Sequence, residues 1–585
     1  MKTSIQQGFE LHQRGNYLEA QLIYEQILKL QPQNFDALWL LGTLYGQLQK
    51  YPASVEFLTK ALNINSEHPT AQNNLGNAFN ELGKLNEAIV CYEHALRIKP
   101  NYSQAYFNRG NVFIKLQRSE EAISSYKKAI NYNPEFSDSY NSLGMALQGL
   151  KRFKEAIIYY DKAILLNPAL AEAFNNRGVA LQELYCYEDA LMNFDCSINI
   201  KPDFVEAFNN RGLALYELKR IEEAILSYEK AININPKFAK AYNNLGVALQ
   251  AFKKLDRAFA QYKKAIQLDP NYVEANWNLA VIDLLNGNFN DGWQKYEWRW
   301  KRDSAITAKR NFSEPLWLGE TSLIGKTILL YAEQGLGDII QFCRYIPMVS
   351  KLGATIILEI QPPLIPLLKH LKGANQIIAL GHKLPNFDYQ CPILSLPLAF
   401  KTNEDTIPPT DLSITSDDEK VDHWRQKLGL QKYPRIGLAW SSLSSFKDDY
   451  QRSLTLFELL QALPKEGFEY ICLQKEIKDI DKKTLASNPQ IQFFGSQLKD
   501  FSDTAALIEC VDLVISTCTS VPHLSCSLGK KTWLLLSHVA DWRWLLNRDD
   551  SPWYPSAKLY RQDRIYDWES VLAKVRADLL AFTAL

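Results

Sequence analysis

Glycine, alanine and proline recur at a fixed spacing along the first half of the chain. Three series step by 34 residues or a multiple of it: Gly8, Gly42, Gly76, Gly110, Gly144, Gly178, Gly212 and Gly246; Ala20, Ala88, Ala122, Ala156, Ala190, Ala224 and Ala258; Pro32, Pro100, Pro134, Pro168, Pro202, Pro236 and Pro270. Glycine suits a helix position that a neighbouring helix crosses closely, alanine accepts a large neighbour, and proline stands where a helix ends. The pattern therefore predicts a stacked series of helical hairpins.

A polar series accompanies the small residues. Asparagine stands two residues before the repeat glycine, with Ser142 as the one substitution and the last asparagine in phase in the next unit: Asn74, Asn108, Asn176, Asn210, Asn244 and Asn278. Stacked hairpins form a superhelix with a concave groove, and an amide offers donors and an acceptor to a peptide backbone. The asparagines either bind a peptide in that groove or hydrogen-bond between adjacent repeats.

The 34-residue pattern resembles the tetratricopeptide repeat (TPR), and the resemblance extends over residues 1–305. A similar asparagine ladder occurs in the O-linked N-acetylglucosamine transferases, where it holds acceptor polypeptide. The resemblance therefore implies an acceptor polypeptide or a partner protein in the groove.

The last unit departs from the pattern. Ala280 replaces the glycine, and an aromatic stretch follows from Trp293 to Trp300. Terminal repeats are usually atypical because they cap the stack. We expect this aromatic stretch to dock the repeats onto the following region.

Beyond residue 310 the spacing disappears, and short β-rich runs alternate with helical segments. The runs are 326–332, 354–360 and QIIAL, then, after a connector rich in Pro and Asp at 401–415, the runs 435–440, 468–474, 512–517 and 531–537. Strands alternating with helices predict parallel sheets. We interpret residues 306–430 and 431–585 as two Rossmann-like lobes with a ligand cleft between the carboxyl ends of their strands.

One candidate site follows the first strand of the first lobe. The loop and helix start contain Gly335, Gly337, Asp338 and Gln341. Two glycines permit a tight turn, which would bring Asp338 to a helix N-terminus that faces the cleft. Asp338 is either a general base or an ordinary helix N-cap.

A second candidate site follows the strand at 512–517. Thr519 and Ser520 precede Pro522 and His523 at the start of a helix, an arrangement that suits a diphosphate. The alternative is plain N-capping by Thr519 or Ser520. His523 either contacts phosphate or sugar, or packs in the core.

The segments GLGD (335–338) and DLVIS (512–516) resemble glycosyltransferase family 9, a heptosyltransferase-like group with the GT-B fold. Bacterial TPR proteins with such a domain share further segments with this chain: SLPLAF (395–400), DWRW (541–544), SPWYP (551–555) and Arg561-Gln562. The resemblance implies that Asp338 is the catalytic base toward the acceptor. It also implies that the second lobe binds a nucleotide diphospho-sugar.

In that family a lysine near the first strand of the second lobe contacts the donor. Lys447 is the counterpart and Arg452 could assist, although both residues could equally be solvated loop residues. The family commonly has Asp-Thr where this chain has Cys518-Thr519. A thiol cannot replace a carboxylate as acceptor, which implies altered donor binding or weakened activity.

Charge and cysteine usage narrow the class of protein. Lys+Arg and Asp+Glu both total 65, so no net field draws the chain to nucleic acid or an anionic membrane. No run of about 18 apolar residues predicts a membrane span, and we expect a cytoplasmic protein. Nine cysteines without CxxC pairs favour reduced thiols over zinc or disulfides. We expect no metal and no cofactor other than the donor sugar.

The sequence thus predicts an α-helical TPR solenoid followed by an α/β GT-B module that transfers a sugar to an acceptor, with protein as the favoured acceptor. Two alternatives stay open. One is transfer to a glycan or a lipid-linked saccharide. The other is a protein-binding scaffold whose transferase module has weakened or lost catalysis.

Overall fold

Helical hairpins follow one another through the first half of the chain. A computed structural model describes residues 5–302, 310–333, 335–410, 414–442, 452–565 and 567–582. The helices of the repeats are α1 (Ile5–Gln13), α2 (Tyr17–Leu30), α3 (Phe35–Gln47), α4 (Tyr51–Ile64), α5 (Pro69–Glu81), α6 (Leu85–Ile98), α7 (Ser103–Lys115), α8 (Ser119–Tyr132), α9 (Ser137–Gly149), α10 (Phe153–Leu166), α11 (Ala171–Glu183), α12 (Tyr187–Ile200), α13 (Val205–Glu217), α14 (Ile221–Ile234), α15 (Ala239–Ala251), α16 (Leu255–Leu268), α17 (Val273–Leu285) and α18 (Phe289–Tyr296). Each helix is short, so its stability comes from packing against its neighbours.

Most repeat glycines lie where an aromatic ring of the second helix packs against the first helix, and at Gly42 the side chain of Leu58 takes the place of the ring. A Cβ atom added to the glycine would approach the ring sixteen residues later to 2.5–2.6 Å in these pairs: Gly76 and Tyr92, Gly110 and Tyr126, Gly144 and Tyr160, Gly178 and Phe194, Gly212 and Tyr228. Only glycine allows this contact, in which the ring fills the space between the two helices. The predicted role of the glycine series is confirmed.

Arginines beside the asparagine ladder connect successive repeats. Arg211 on α13 donates from Nε to Asp195 Oδ1 at 2.6 Å and from Nη1 to Ser227 Oγ at 2.7 Å. Asp195 belongs to the preceding unit and Ser227 to the second helix of the same unit. One side chain therefore links three helices.

Two parallel sheets form the second half. Their strands are β1 (Thr327–Tyr331), β2 (Thr355–Ile360), β3 (Gln376–Ala379), β4 (Tyr389–Pro392), β5 (Arg435–Ala439), β6 (Glu469–Cys472), β7 (Ile491–Phe493), β8 (Leu513–Thr517), β9 (Thr532–Leu536) and β10 (Ala557–Arg561). The first sheet has the order β3-β2-β1-β4 and the second β10-β9-β8-β5-β6-β7, with parallel pairing throughout the described strands. The α/β prediction for this region is confirmed.

Helices cover both sheets. They are α19 (Leu336–Phe342), α20 (Ile346–Lys351), α21 (Ile365–Leu368), α22 (Leu396–Ala399), α23 (Asp418–Leu428), α24 (Leu456–Leu460), α25 (Asp479–Ala486), α26 (Phe501–Glu509), α27 (Ser520–Ser527) and α28 (Trp568–Leu580). Two short helices stand between β1 and β2, because a 3-10 turn at Cys343–Tyr345 separates α19 from α20. Pro347 lies in the first turn of α20, where its missing N–H costs no hydrogen bond.

Contacts within the chain divide it into two units, one up to Ala241 and one from Tyr242 onward. The second unit therefore contains the last repeats together with both sheets. Part of the predicted connector at 401–415 falls on residues 411–413, which lie outside the described part of the chain. The sequence boundaries near 305 and 430 remain predictions.

Aromatic side chains join the terminal repeat to the α/β region inside this second unit. Trp293 of α18 donates from Nε1 to the Thr402 carbonyl oxygen at 3.0 Å. Its ring meets Trp542 edge-on at 5.2 Å and lies near Trp553 and Phe289. Trp293 and Trp553 are fully buried. The expected docking of the terminal aromatic stretch onto the following region is confirmed.

Candidate functional site

Asp338 lies in the first turn of α19, directly after the carboxyl end of β1. The N-cap position is Gly335, which has a φ of +75° and makes no side-chain capping bond. A Cβ atom on Gly335 would lie 2.4 Å from Asp338 Oδ2, so the turn requires glycine there. The alternative that Asp338 is an ordinary N-cap is wrong.

The start of α19 packs against the start of α27. A Cβ atom on Gly337 would lie 3.0 Å from His523 Cδ2 and 3.4 Å from the Ser520 Cα atom. The two helices follow the carboxyl ends of β1 and β8, which belong to different sheets. The fold thus brings the start of α19, which carries Gly337 and Asp338, next to the start of α27, which carries Ser520 and His523.

Asp338 forms an ion pair with Arg543, a residue that the sequence analysis did not single out. Arg543 Nη2 donates to Asp338 Oδ1 at 2.7 Å, and Arg543 Nη1 donates to both Asp541 carboxylate oxygens at 2.8 and 3.0 Å. The side chain of Arg543 is 9% exposed and that of Asp338 is 26% exposed. The segment DWRW (541–544), which contains Arg543, is shared with the resembling bacterial TPR proteins, and this was the only sign in the sequence that Arg543 belongs to the site.

The surroundings of Asp338 make its carboxyl group a weaker acid than usual. Burial by the surrounding protein is the largest effect and raises the pKa of Asp338 from 3.8 to about 6, while the Arg543 cation opposes the rise. Asp541 and Glu333 raise the pKa further, and Arg299 lowers it. A carboxylate of this strength is ionised at neutral pH and can accept a proton.

In the second lobe Thr519 caps α27. Its Oγ1 accepts the Val521 N–H at 3.3 Å, and Ser520 is the first residue of the helix. Both hydroxyl residues are partly exposed. The N-capping interpretation is therefore correct for Thr519, and the binding of a diphosphate at this helix start remains a prediction.

His523 packs between aromatic side chains. Its Nδ1 lies 3.0 Å from the Tyr554 hydroxyl oxygen, and its ring stacks on Trp544 at 5.3 Å. The side chain is 5% exposed, and burial lowers the pKa of His523 to about 3. His523 is therefore neutral and has the environment of a core histidine; a contact with phosphate or sugar stays a prediction.

Cys518 accepts a hydrogen bond from an indole. Trp544 Nε1 donates to its Sγ at 3.2 Å, and burial raises the pKa of Cys518 to about 11. The group is thus a neutral thiol with its sulfur as acceptor. At the position where glycosyltransferase family 9 commonly has an aspartate, this chain therefore has a weak, uncharged hydrogen-bond acceptor.

The remaining candidates lie in different surroundings. Arg452 Nη2 donates to Ser442 Oγ at 3.3 Å, and its charge lowers the pKa of the Cys518 thiol. Gln341 is fully buried on α19, so its side chain is not at the surface of the cleft. Lys447 lies outside the described residues.

The asparagine ladder forms bonds between adjacent repeats. In each case the side-chain amide donates to a side-chain oxygen of the preceding unit at 3.0–3.2 Å: Asn74 to Thr43, Asn108 to Asn73, Asn176 to Asn141, Asn210 to Asn175, Asn278 to Asn243. Asn244 accepts from Asn243 Nδ2 at 3.3 Å. The inter-repeat alternative is thus observed, and a second asparagine column, also spaced by 34 residues, supplies most acceptors.

The ladder asparagines are nevertheless partly exposed. An amide has two N–H groups and two acceptor lone pairs, so one inter-repeat bond leaves capacity for a further partner. The ladder can hold the repeats in register and still contact a peptide.

Family comparisons identify the class of the helical region. Residues 76–117, 110–151 and 212–251 match the TPR repeat family, and residues 10–69, 137–170 and 239–272 match tetratricopeptide repeat families. The chain therefore carries an N-terminal array of TPRs, a scaffold that supports protein–protein interaction.

The chain is similar to several known proteins. The protein FlbA of Caulobacter vibrioides is 27% identical over 333 residues, and the match spans 52% of this chain and 54% of FlbA, about half the length of that relative. Among solved structures, YrrB, described as a TPR protein with an unusual peptide-binding site, is 29% identical, with 32% of this chain and 95% of YrrB covered and a TM-score of 0.28. MamA is 26% identical, with 28% and 97% covered and a TM-score of 0.27.

Three further properties bear on the class of protein. Within the described residues, no helix combines the length and the apolar character that a membrane span requires. The same part of the chain contains no group of three or more His, Cys, Asp or Glu residues placed to hold a metal ion. The nine cysteines are free thiols, six of them buried, as the sequence predicted.

Proposed function

We propose that the chain is a glycosyltransferase that moves a sugar from a nucleotide diphospho-sugar to an acceptor, with protein as the favoured acceptor. The observation that carries this proposal is the close approach of the start of α19, which carries Asp338, to the start of α27 at Ser520, at the carboxyl ends of two parallel sheets. Ligands of α/β folds commonly bind at such edges.

In this reaction the acceptor hydroxyl or amide attacks the anomeric carbon of the donor sugar. Asp338 takes the proton of the nucleophile, and the bond from the sugar to the diphosphate breaks. The nucleoside diphosphate leaves with the bonding electron pair, so negative charge develops on its oxygens. The start of α27 at Thr519 and Ser520 and the Arg452 guanidinium would stabilise that charge.

Arg543 gives Asp338 a defined orientation. The bond from Nη2 uses only Oδ1 of the carboxylate, and 26% of the Asp338 side chain stays exposed. A partly buried carboxylate that has a raised pKa and keeps part of its surface open is suited to receive a proton from a bound acceptor.

The acceptor assignment depends on the repeats. The TPR array supports protein binding, and the half-buried asparagine ladder offers amide groups to a polypeptide backbone. If a glycan or a lipid-linked saccharide is the acceptor, the repeats instead recruit partner proteins. Glycopeptide mapping of a host that carries the wild type, the Asp338→Asn variant or no copy of the protein distinguishes these cases, because only a protein acceptor yields modified peptides that depend on Asp338.

A protein-binding scaffold without catalysis is the second candidate. Two observations favour it: the Asp338 carboxylate is already paired with Arg543, and the Cys518 thiol replaces the family carboxylate. A scaffold of this kind would bind protein through its repeats and release no nucleotide.

A donor screen tests the proposal. Purified protein is incubated with a panel of nucleotide sugars, and both donor binding and release of nucleoside diphosphate are measured for the wild type and for Asp338→Asn. Asp405→Asn, a change in an exposed turn of the first lobe, is the matched control. Turnover that Asp338→Asn abolishes and Asp405→Asn retains supports the transferase. Absence of both binding and turnover for all donors favours the scaffold.

A further inference from the structure

The terminal repeat inserts an arginine into the first lobe. Arg299 follows α18, and its guanidinium binds Glu333 through two parallel hydrogen bonds, Nε to Oε2 and Nη2 to Oε1, each 2.8 Å long. The two side chains are only 4% and 3% exposed. Such a bidentate pair holds both side chains in position and favours the charged form of each.

Arg299 forms further hydrogen bonds with side chains of the terminal repeat and the first lobe. Nη1 donates to Glu297 Oε1 at 2.6 Å, and Nη2 donates to Ser395 Oγ at 2.7 Å. Ser395 Oγ in turn donates to the same Glu297 oxygen at 2.8 Å. Arg299 therefore connects the terminal repeat to two separate segments of the first lobe.

Glu333 lies between the end of β1 and the turn at Gly335 that leads to Asp338. The groups that face Asp338 come from three other segments as well. Arg543 and Asp541 lie on the segment after β9, the neutral His523 lies on α27, and Arg299 and Tyr296 belong to the terminal repeat. Among these groups, the Arg299–Glu333 pair is the one through which the terminal repeat contacts the segment that leads to Asp338.

We infer that Arg299, supplied by the terminal repeat, is a positioning residue for Asp338: it holds Glu333 and thereby fixes the loop that carries Asp338, and it balances the negative charge beside that carboxylate. The role of Asp338 as base rests on the proposed function, whereas its ionisation is measurable without turnover. The ionisation of Asp338 in the α/β region thus depends on Arg299 of the last repeat.

Opposite substitutions at this pair have opposite electrostatic effects on Asp338. Arg299→Gln leaves Glu333 uncompensated, so a second negative charge opposes ionisation and raises the pKa of Asp338. Glu333→Gln removes that negative charge and leaves Arg299 with Glu297 as its acidic partner, so ionisation of Asp338 becomes more favourable and its pKa falls. A neighbouring full charge shifts a pKa by about 1 unit or more, and a purely structural effect would not reverse sign.

The experiment follows the infrared carbonyl band of the protonated Asp338 carboxyl group across pH in the full-length protein. Each spectrum is corrected by that of the same protein carrying Asp338→Asn, so that only Asp338 contributes. We expect the midpoint to rise by about 1 pH unit in Arg299→Gln and to fall by about 1 pH unit in Glu333→Gln. The double variant should return toward the wild type.

Lys295→Gln is the matched control. Lys295 pairs with the buried Asp283 at 2.8 Å in the same terminal repeat, but neither residue faces Asp338, so the midpoint should not move. Unchanged midpoints in both Arg299→Gln and Glu333→Gln would overturn the inference. If Arg299→Gln does not fold, Glu333→Gln decides alone: a lower midpoint supports the inference and an unchanged one refutes it. Neither result alters the donor screen, which tests the transferase separately.

Discussion

The close approach of the repeat glycine to an aromatic ring in most repeats predicts a large effect of a single methyl group. In Gly110→Ala the new Cβ atom would lie 2.5 Å from Tyr126 Cε1 and 2.8 Å from Cδ1, whereas ordinary contact begins at 3.4 Å. The ring has little freedom to move, because it is buried and its hydroxyl donates to Asn111 Oδ1 at 2.7 Å. The helices must therefore separate locally.

Two effects of opposite sign decide the change in stability. Overpacking of a filled core costs about 1–3 kcal/mol, and so short a contact belongs at the upper end of that range. Alanine is favoured over glycine inside a helix by about 1 kcal/mol. We expect the free energy of unfolding of Gly110→Ala to fall by about 2 kcal/mol.

Urea unfolding followed by far-UV circular dichroism measures this change. Gly149→Ala is the matched control, since Gly149 is the last residue of α9 and no atom lies within 4 Å of its added Cβ. The control should unfold at the same urea concentration as the wild type or a higher one. If Gly110→Ala is as stable as Gly149→Ala, the packing argument for the whole glycine series is wrong.

Four further predictions concern the site and the packing of the chain. The pKa of Asp338 is raised from 3.8 to about 6 in the folded protein, so ionisation of this group opposes folding. The wild type should therefore lose stability relative to Asp338→Asn as the pH rises from about 4 to about 6, which unfolding measured at several pH values tests. Donor turnover, where present, should fall below about pH 6 as the base becomes protonated, and a flat pH–rate profile would contradict this assignment. Arg543→Met leaves two acidic partners unpaired and should cost about 2 kcal/mol by urea unfolding, less than a fully buried pair because both carboxylates keep some exposure. Asn176→Ala removes the bond to Asn141 and should cost about 1 kcal/mol by the same assay, while no loss would show that the inter-repeat bond is unimportant.

The period of 34 residues determined most of the helical region in advance. Glycine at the close helix crossing, alanine at buried positions and proline after the second helix of most hairpins are local requirements of one hairpin, so a single sequence shows them repeatedly. The buried central strands were equally predictable from the sequence, because a strand that is covered on both faces consists of an uninterrupted run of apolar residues. The strands β4, β7 and β10 were missed, since they lie at the edges of the sheets and carry polar residues that interrupt an apolar run.

The candidate site required the tertiary structure. Asp338 was identifiable from its position after a strand and two glycines, but its partner Arg543 lies 205 residues away in the sequence. The asparagine ladder was visible as a series, yet only the stacking of repeats decided which oxygen each amide meets. The repeat spacing and the apolar pattern reflect contacts between residues that are close in the sequence, so they are visible in the sequence itself. Charge pairing and hydrogen bonding between distant segments depend on how whole elements pack, and no local pattern records that packing.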